Sequence, residues 1–130
     1  MNPKKTKLLF DRFKHLFKDR DDVKKSLMYF GFEHGDGWYN ILENLFLEIE
    51  KHKLPEDFRI VQVKEKYGCL RVYFDPHLED IDLLVAQAEG KSLLTCEECG
   101  DPGRLRTEGR SWIKTLCEEC DKNDNKHQEG

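Results

Sequence analysis

No stretch of this 130-residue sequence approaches the roughly 20 consecutive apolar residues that a membrane-spanning helix needs. Its first residues lead into an amphipathic stretch, and not into the uninterrupted apolar segment of a secretory signal. The net charge is −4, whereas proteins that coat nucleic acid usually carry a basic excess. These absences predict a soluble globular protein with no transmembrane segment and argue against a general nucleic-acid coat protein.

Recognisable catalytic patterns are missing as well. The sequence contains no nucleophile elbow, phosphate-binding loop or metal-hydrolase motif. His34 with Glu33 or Asp36 is a conceivable acid–base pair, and Cys69 is a conceivable nucleophile. A lone cysteine that opens a strand is more often a small buried hydrophobic residue. We therefore predict that the protein is not an enzyme, and an enzyme of unknown class is the second alternative.

Four of the five cysteines form two C-x-x-C pairs, Cys96 with Cys99 and Cys117 with Cys120, separated by seventeen residues. This separation lies within the C-x2-C-x15–20-C-x2-C spacing of structural zinc sites. Four thiolates close a tetrahedron around Zn²⁺ and leave no position for a catalytic water, so we expect one structural zinc ion. Two disulfides or a redox-active C-x-x-C pair are the alternatives. Free thiols in this number fit a reducing cytoplasm better than an oxidising compartment.

The hydrophobic pattern predicts an α+β fold, with helices packed on a β-hairpin or small antiparallel sheet and followed by a four-cysteine zinc ribbon. Apolar residues recur at helical spacing in three segments, and a fourth, shorter helix is expected after a possible aspartate cap. β-Branched residues predict the hairpin, with a four-residue connection. The helices are expected over residues 5–18, 21–30, 38–52 and 78–89, and the hairpin over residues 58–74.

Three regions follow from this pattern. Residues 1–91 form the α+β domain, which begins with a basic amphipathic helix. Residues 92–121 form the zinc ribbon, with short strands over residues 104–106 and 111–116. The ribbon is expected to pack on the domain because the link after Gly90 is short. Residues 122–130 are polar, and we expect a disordered tail.

Several motifs occur together in a fixed order and resemble a family of small uncharacterised bacterial and phage-associated proteins with a C-terminal C-x-x-C…C-x-x-C ribbon. The resemblance covers roughly residues 30–120 and leaves residues 1–29 outside. It implies no particular activity, but it implies a phage or mobile-element origin. The motifs are GDGW at residues 35–38, QVKEKYGCLRVY at 62–73, CEECG at 96–100 followed by Pro102-Gly103, and WIKTLC at 112–117.

Two groups of residues are candidates for a binding surface. The first joins Asp36 and Trp38 to the hairpin residues Lys64, Lys66 and Arg71; alternatively, Asp36 caps the next helix and Trp38 lies in the core. The second is a basic and aromatic face on the ribbon that could stack bases and contact phosphates, although the ribbon's acidic residues oppose phosphate binding. The members of this second group are Arg104, Arg106, Arg110 and Trp112.

Protein binding is the function that these features favour most. The hairpin and the ribbon both offer strand edges to a partner, and an exposed Trp112 would be a typical interface anchor. We predict a small intracellular protein that binds structural zinc and acts as a protein-interaction or regulatory module. A nucleic-acid-binding zinc ribbon is the alternative. The sequence leaves the partner and the oligomeric state open.

Overall fold

The computed structural model describes the backbone of residues 1–129 and the side chains of residues 1–124. Within this range the chain has an α+β fold, as the sequence predicts, and none of its helices is long and apolar enough to cross a membrane. Two short 3-10 turns lie at Met28–Phe30 and Asp36–Trp38. The other elements are α1 (Pro3–Arg12), β1 (Phe32–Glu33), α2 (Tyr39–Glu50), β2 (Arg59–Lys66), β3 (Cys69–Asp75), α3 (Glu79–Ser92), β4 (Arg104–Arg106), β5 (Lys114–Leu116) and α4 (Glu118–Glu129).

The N-terminal segment belongs to the hydrophobic core, although the predicted helix over residues 5–18 ends at Arg12. Phe13 leaves the helical conformation, with φ −117° and ψ 46°, and the chain continues in turns. This change of direction brings Phe17 to 5.2 Å from Phe46 of α2, measured between ring centroids. The apolar stripe is buried as predicted, but aromatic packing against α2 takes precedence over a longer helix.

The short helix predicted over residues 21–30 is wrong except for the 3-10 turn at its end. This segment runs against β2 instead. The Leu27 N–H donates to the Val61 carbonyl at 2.7 Å, and the buried Ser26 hydroxyl lies 3.3 Å from the Ile60 carbonyl oxygen. Apart from short turns, such as the one closed by the bond from the Ser26 N–H to the Asp22 carbonyl, hydrogen bonds to a neighbouring strand therefore take the place of a continuous helix, which the periodicity of the segment alone cannot reveal.

The predicted hairpin is confirmed as β2 and β3, which pair antiparallel. Its connection has two residues and not four, because the last pair is Lys66 with Cys69. Tyr67 and Gly68 have φ values of 54° and 78°, the two positive values that a type I′ turn requires. The two-residue strand β1, which the sequence did not reveal, pairs parallel to β2 and completes a three-stranded sheet.

Helix α3 covers the outer edge of β3. The predicted helix continues to Ser92, so Gly90 lies inside it and does not end it. The Ser92 hydroxyl accepts the Leu70 N–H at 2.9 Å, and the Glu89 carboxylate accepts the Val72 N–H at 3.3 Å. These side chains satisfy donors that an open strand edge would offer to a partner. The expectation that the hairpin presents this edge for strand addition is therefore wrong at Leu70 and Val72.

The chain continues as a helix beyond the ribbon's strands, which contradicts the predicted disordered tail for residues 122–129; Gly130 lies outside the described residues. Strand β5 begins at Lys114, three residues later than predicted. Arg110, whose side chain is only 1% exposed, forms ion pairs with Asp121 and Asp124 of α4. These pairs hold the polar helix against the β4–β5 hairpin, and the acidic first turn suits a helix N-terminus.

Candidate metal centre

The four predicted ligands lie together in the structure. The Sγ atoms of Cys96, Cys99, Cys117 and Cys120 all lie within 4.8 Å of one another, and those of Cys99 and Cys117 are 3.7 Å apart. A tetrahedral ion bound to four sulfurs at about 2.3 Å places each pair of sulfurs about 3.8 Å apart. The cluster therefore has the size and the donor set of a four-thiolate metal site, and it can hold one metal ion.

Two different local structures position the two pairs. The first knuckle, residues 96–100, is a tight turn in which the Gly100 N–H donates to the Cys96 carbonyl at 2.9 Å, with Gly100 at φ 86°. In the second knuckle, residues 117–120, Cys117 follows β5 and Cys120 lies in the first turn of α4. The Cys120 N–H lies 3.4 Å from the Cys117 sulfur, toward which it donates. The two cysteines of each pair are thus three residues apart in both knuckles, but a turn positions the first pair and a helix N-terminus positions the second.

Crowding of the thiols shifts their pKa values in different directions. The Cys120 N–H, with the neighbouring thiols, lowers the pKa of Cys117. The Asp101 N–H lowers the pKa of Cys99, but desolvation and hydrogen bonds from the neighbouring thiols outweigh it and raise the pKa to about 11. Desolvation, with the neighbouring thiols, raises the pKa of Cys120 further. Without a metal these groups hold their protons at neutral pH. A divalent cation must therefore displace protons from Cys99 and Cys120 in order to bind, because thiolates and not thiols are the metal ligands.

The GDGW loop, residues 35–38, contacts the first knuckle directly. The Gly37 N–H donates to the Glu97 carbonyl at 2.7 Å. A Cβ atom at Gly37 would lie 2.0 Å from the Cys96 carbonyl oxygen and 2.6 Å from the Gly100 nitrogen, and one at Gly35 would lie 2.5 Å from the Glu97 oxygen. Glycine is needed at Gly37 because two backbones approach within the space of a side chain. The motif therefore attaches the knuckle to the domain.

Trp38 is fully buried, and its indole N–H donates to the Thr95 carbonyl at 2.9 Å, immediately before the first knuckle. It therefore lies in the core, and its place on a binding surface with Lys64 and Lys66 is wrong. Asp36 does not cap α2. Its carboxylate accepts from the backbone and side-chain N–H groups of Asn2, at 2.7 and 3.1 Å, which lowers the pKa of Asp36. Asp36 thus holds the beginning of α1 against the loop.

Two buried polar side chains lie at the same junction. The Glu97 carboxylate accepts the Gly35 N–H at 2.9 Å, and burial raises its pKa. The His34 ring donates from Nδ1 to the Gly35 carbonyl at 2.7 Å, and desolvation lowers its pKa to about 4. Neither the Glu97 Oε1 atom nor the His34 Nε2 atom has a partner among the described residues. His34 is therefore neutral at pH 7 and buried within the domain.

A second contact joins the tip of the hairpin to the ribbon. The buried Thr115 hydroxyl of β5 donates to the Gly68 carbonyl at 2.7 Å. A Cβ atom at Gly68 would lie 2.6 Å from the Leu105 side chain and 3.3 Å from the backbone of Lys114. Cys69, beside this contact, is 8% exposed, with its sulfur 3.4 Å from the Leu70 carbonyl oxygen. The prediction that the ribbon packs on the domain is confirmed at both contacts.

The basic face predicted on the ribbon is largely neutralised. Arg110 is buried in its pairs with α4. The Arg106 side chain is 13% exposed, lies 3.8 Å from the Asp121 carboxylate, and donates to the Leu116 carbonyl at 3.1 Å. Arg104 alone of the three predicted arginines is exposed. Arg106 and Arg110 therefore stabilise the ribbon's own structure, and their assignment to a phosphate-contacting surface is wrong.

The remaining predicted surface residues lie at and beside the tip of the hairpin. Lys64 and Lys66 are on β2, the former half-buried and the latter exposed. Arg71 on β3 pairs with Lys64 in the strand register and lies 3.8 Å from the Glu89 carboxylate. Trp112 is 63% exposed, so it does not fill the ribbon's small core. The sequence pointed to these residues individually, but not to Tyr67, which is 71% exposed at the same tip.

No family model, curated protein or solved structure matches this chain.

Proposed function

We propose that this protein binds one structural Zn²⁺ ion through Cys96, Cys99, Cys117 and Cys120 and acts as a protein-interaction module. The zinc assignment is supported by four thiol sulfurs that lie within 4.8 Å of one another in one chain, a donor set that closes the coordination sphere and leaves no reactive position. The same donors also bind iron. Elemental analysis of purified protein distinguishes the two, and we expect one zinc per chain; a coloured, iron-containing protein would contradict the assignment.

The observation that supports protein binding is the exposed Trp112 beside the hairpin tip. Tryptophan is enriched at the energetic centres of interfaces and costly to leave in water. The groups considered for catalysis lie in other roles, since His34 is buried with a pKa of about 4 and Cys69 is enclosed by β3 and α3. The His34 Nδ1 atom and the Cys69 sulfur are each directed toward a neighbouring backbone carbonyl.

Nucleic-acid binding remains the second candidate. It is favoured by Arg104 and by the lysines of α1, which lie on the surface. It is opposed by the ion pairs that occupy Arg106 and Arg110, because useful affinity for a phosphate backbone needs several free cations. The surface cations and the neutralised arginines together leave nucleic-acid binding as the second candidate function.

A pull-down from native lysate tests the two candidates together. The zinc-loaded protein is used as bait with and without nuclease, and Trp112→Ala serves as a matched variant because the side chain is exposed and its loss leaves the core intact. Protein partners that survive nuclease and depend on bound zinc are the expected result. Recovery of nucleic acid, or partners lost on nuclease treatment, would favour the alternative. Recovery of neither would refute the interaction proposal.

The family resemblance and the cellular location are also part of this proposal. The motifs that carry the resemblance meet at the junction between domain and ribbon: Gly37 contacts the first knuckle, and Gly68 contacts Thr115. Their joint occurrence is therefore what a shared fold would require. The phage or mobile-element origin that we propose rests on the resemblance of these motifs alone. All five cysteines are free thiols in the described structure, and thiolate ligands suit a reducing compartment such as the cytoplasm.

A further inference from the structure

A groove of about 400 Å³ lies between the domain and the ribbon. Residues 64–67 of the hairpin form one wall, and residues 111–113 of the ribbon form the other. Its volume is within the range of sites that enclose a small ligand or a few side chains of a peptide. Because one wall belongs to the ribbon and rests on the Thr115–Gly68 contact, the groove exists only when the ribbon is folded and docked.

Two exposed aromatic side chains border this groove. Trp112 is 63% exposed and Tyr67 is 71% exposed. Tyr67 also occupies a left-handed conformation, with φ 54°, in a turn where asparagine or glycine would be less costly. Neither folding nor the hairpin turn therefore accounts for a tyrosine here. A bulky residue held at such a position is typical of a functional site.

The groove carries a small excess of positive charge, because its lining holds two lysines and one glutamate. Among the described side chains, neither Lys64 nor Lys66 takes part in an ion pair. The Lys66 ammonium lies 5.8 Å from the Tyr67 ring centroid. The carboxylate of Glu65, the acidic residue in the lining, accepts the Gly68 N–H at 2.7 Å. The carboxylate of Glu33, which neighbours Lys64 in the register, lies 3.3 Å from the Gln62 side-chain amide.

We propose that this groove binds an acidic peptide segment of a partner protein, with an apolar side chain between Trp112 and Tyr67 and carboxylates on Lys64 and Lys66. The proposal rests on the proposed function and assigns it a place and a ligand chemistry. Ile113 contributes aliphatic surface to the ribbon wall, so one apolar residue flanked by Asp or Glu matches both the walls and the charge. Metal binding controls the site, because the ribbon supplies one wall.

The charge count favours a peptide over single-stranded nucleic acid. Both ligands stack on aromatic side chains, but a nucleic-acid strand needs several phosphate contacts. The groove offers two lysines. Two cations outside its lining face carboxylates of their own, Arg71 that of Glu89 at 3.8 Å and Lys114 that of Asp124 at 3.3 Å. Two cations suffice for the carboxylates of a short acidic motif. They leave most phosphates of a bound strand uncompensated.

Selection of peptides on the zinc-loaded full chain tests the proposal. A displayed library of random dodecapeptides is the probe, followed by titration of the strongest synthetic peptide. We expect enriched peptides with carboxylates beside one aliphatic or aromatic residue, binding that weakens with added salt, and loss of about tenfold or more in affinity on Trp112→Ala. Lys64→Glu combined with Lys66→Glu should abolish binding. Basic peptides, no enrichment, or equal affinity for Trp112→Ala would overturn it.

Matched controls separate the groove from general effects of surface changes. Tyr29→Ala removes a tyrosine of similar exposure, 65%, and Lys53→Glu reverses an exposed charge, both away from the groove. These variants should bind the peptide as the natural chain does. Competition by an oligothymidine strand would assign the groove to nucleic acid. A dimer in sedimentation that Trp112→Ala abolishes would assign it to a second copy. Either result would overturn the proposal.

The lysate experiment distinguishes failure of the groove from failure of the proposed function. If the natural chain captures nuclease-resistant partners and Trp112→Ala retains them, the interaction function stands and the groove assignment is wrong. If the natural chain captures no protein, the proposed function itself fails.

Discussion

Replacing Gly37 with alanine would add one methyl group where the GDGW loop meets the first knuckle. The new Cβ atom would lie 2.0 Å from the Cys96 carbonyl oxygen and 2.6 Å from both the Glu97 oxygen and the Gly100 nitrogen. All three neighbours are backbone atoms, so no side-chain rotation relieves the overlap. The loop and the knuckle must separate, which breaks the 2.7 Å hydrogen bond from the Gly37 N–H to the Glu97 carbonyl.

The cost follows from these two effects. Overpacking in a rigid environment costs about 1–3 kcal/mol, and the lost hydrogen bond costs about 1 kcal/mol more. We therefore expect Gly37→Ala to lower the free energy of unfolding of the zinc-loaded protein by about 3 kcal/mol, measured by chemical denaturation. If docking and metal binding are coupled, zinc affinity in a chelator competition should fall by about a hundredfold.

The matched control is Gly90→Ala, the same chemical change in α3. A Cβ atom there has no neighbour within 4 Å, and alanine is the better helix former by about 0.5–1 kcal/mol. Gly90→Ala should therefore raise stability slightly and leave zinc affinity unchanged. A Gly37→Ala protein with natural stability and zinc affinity would refute the inference that the close approach of two backbones joins domain and ribbon.

Three further predictions concern the metal, α4 and pH. Removing zinc, by chelation or by Cys99→Ser, forfeits on the order of 10 kcal/mol of binding energy. Amide protection should therefore vanish over residues 92–121, while the chain keeps most of the helical circular dichroism that α1–α3 contribute. Unchanged protection would contradict a structural metal. Arg110→Ala removes the buried partner of Asp121 and Asp124, which keep their pairs with Arg106 and Lys114, so we expect a cost of about 2 kcal/mol, below the roughly 3–5 kcal/mol of a fully buried pair. The loss should appear as faster amide exchange in α4, whereas Arg104→Ala at an exposed position should change little. Equal exchange in both variants would remove Arg110 as the anchor of α4. Burial lowers the pKa of His34 to about 4, below its unfolded value of about 6.5, so the unfolded chain binds more protons and the free energy of unfolding falls by about 2 kcal/mol between pH 7 and 5. His34→Gln, measured over the same pH range with zinc still bound, should lose that part of the pH dependence. An unchanged slope of stability against pH would show that His34 is not its source.

The elements that depend on local sequence were predictable. The two C-x-x-C pairs identify all four clustered cysteines because their spacing is itself the geometric requirement of the site. The hairpin and α2 follow from alternating and helical apolar patterns whose periods match the backbone geometry of the elements. The burial of Leu9, Phe13 and Phe17 also follows from periodicity, even though the helix that would carry them ends at Arg12.

The features that depend on distant partners were decided by the tertiary structure. The sequence marks Gly35 and Gly37 as breaks in regular structure, but only the approach of the first knuckle shows that they leave room for another backbone. The sequence predicts that Arg110 is a surface charge, but in the folded chain α4 places two carboxylates beside it. Local pattern reports which face of an element is apolar, whereas contacts across the sequence arise from packing that no local window contains. The cysteine spacing therefore determined which four thiols cluster, and the folded chain determined which aromatic and basic residues remain on the surface.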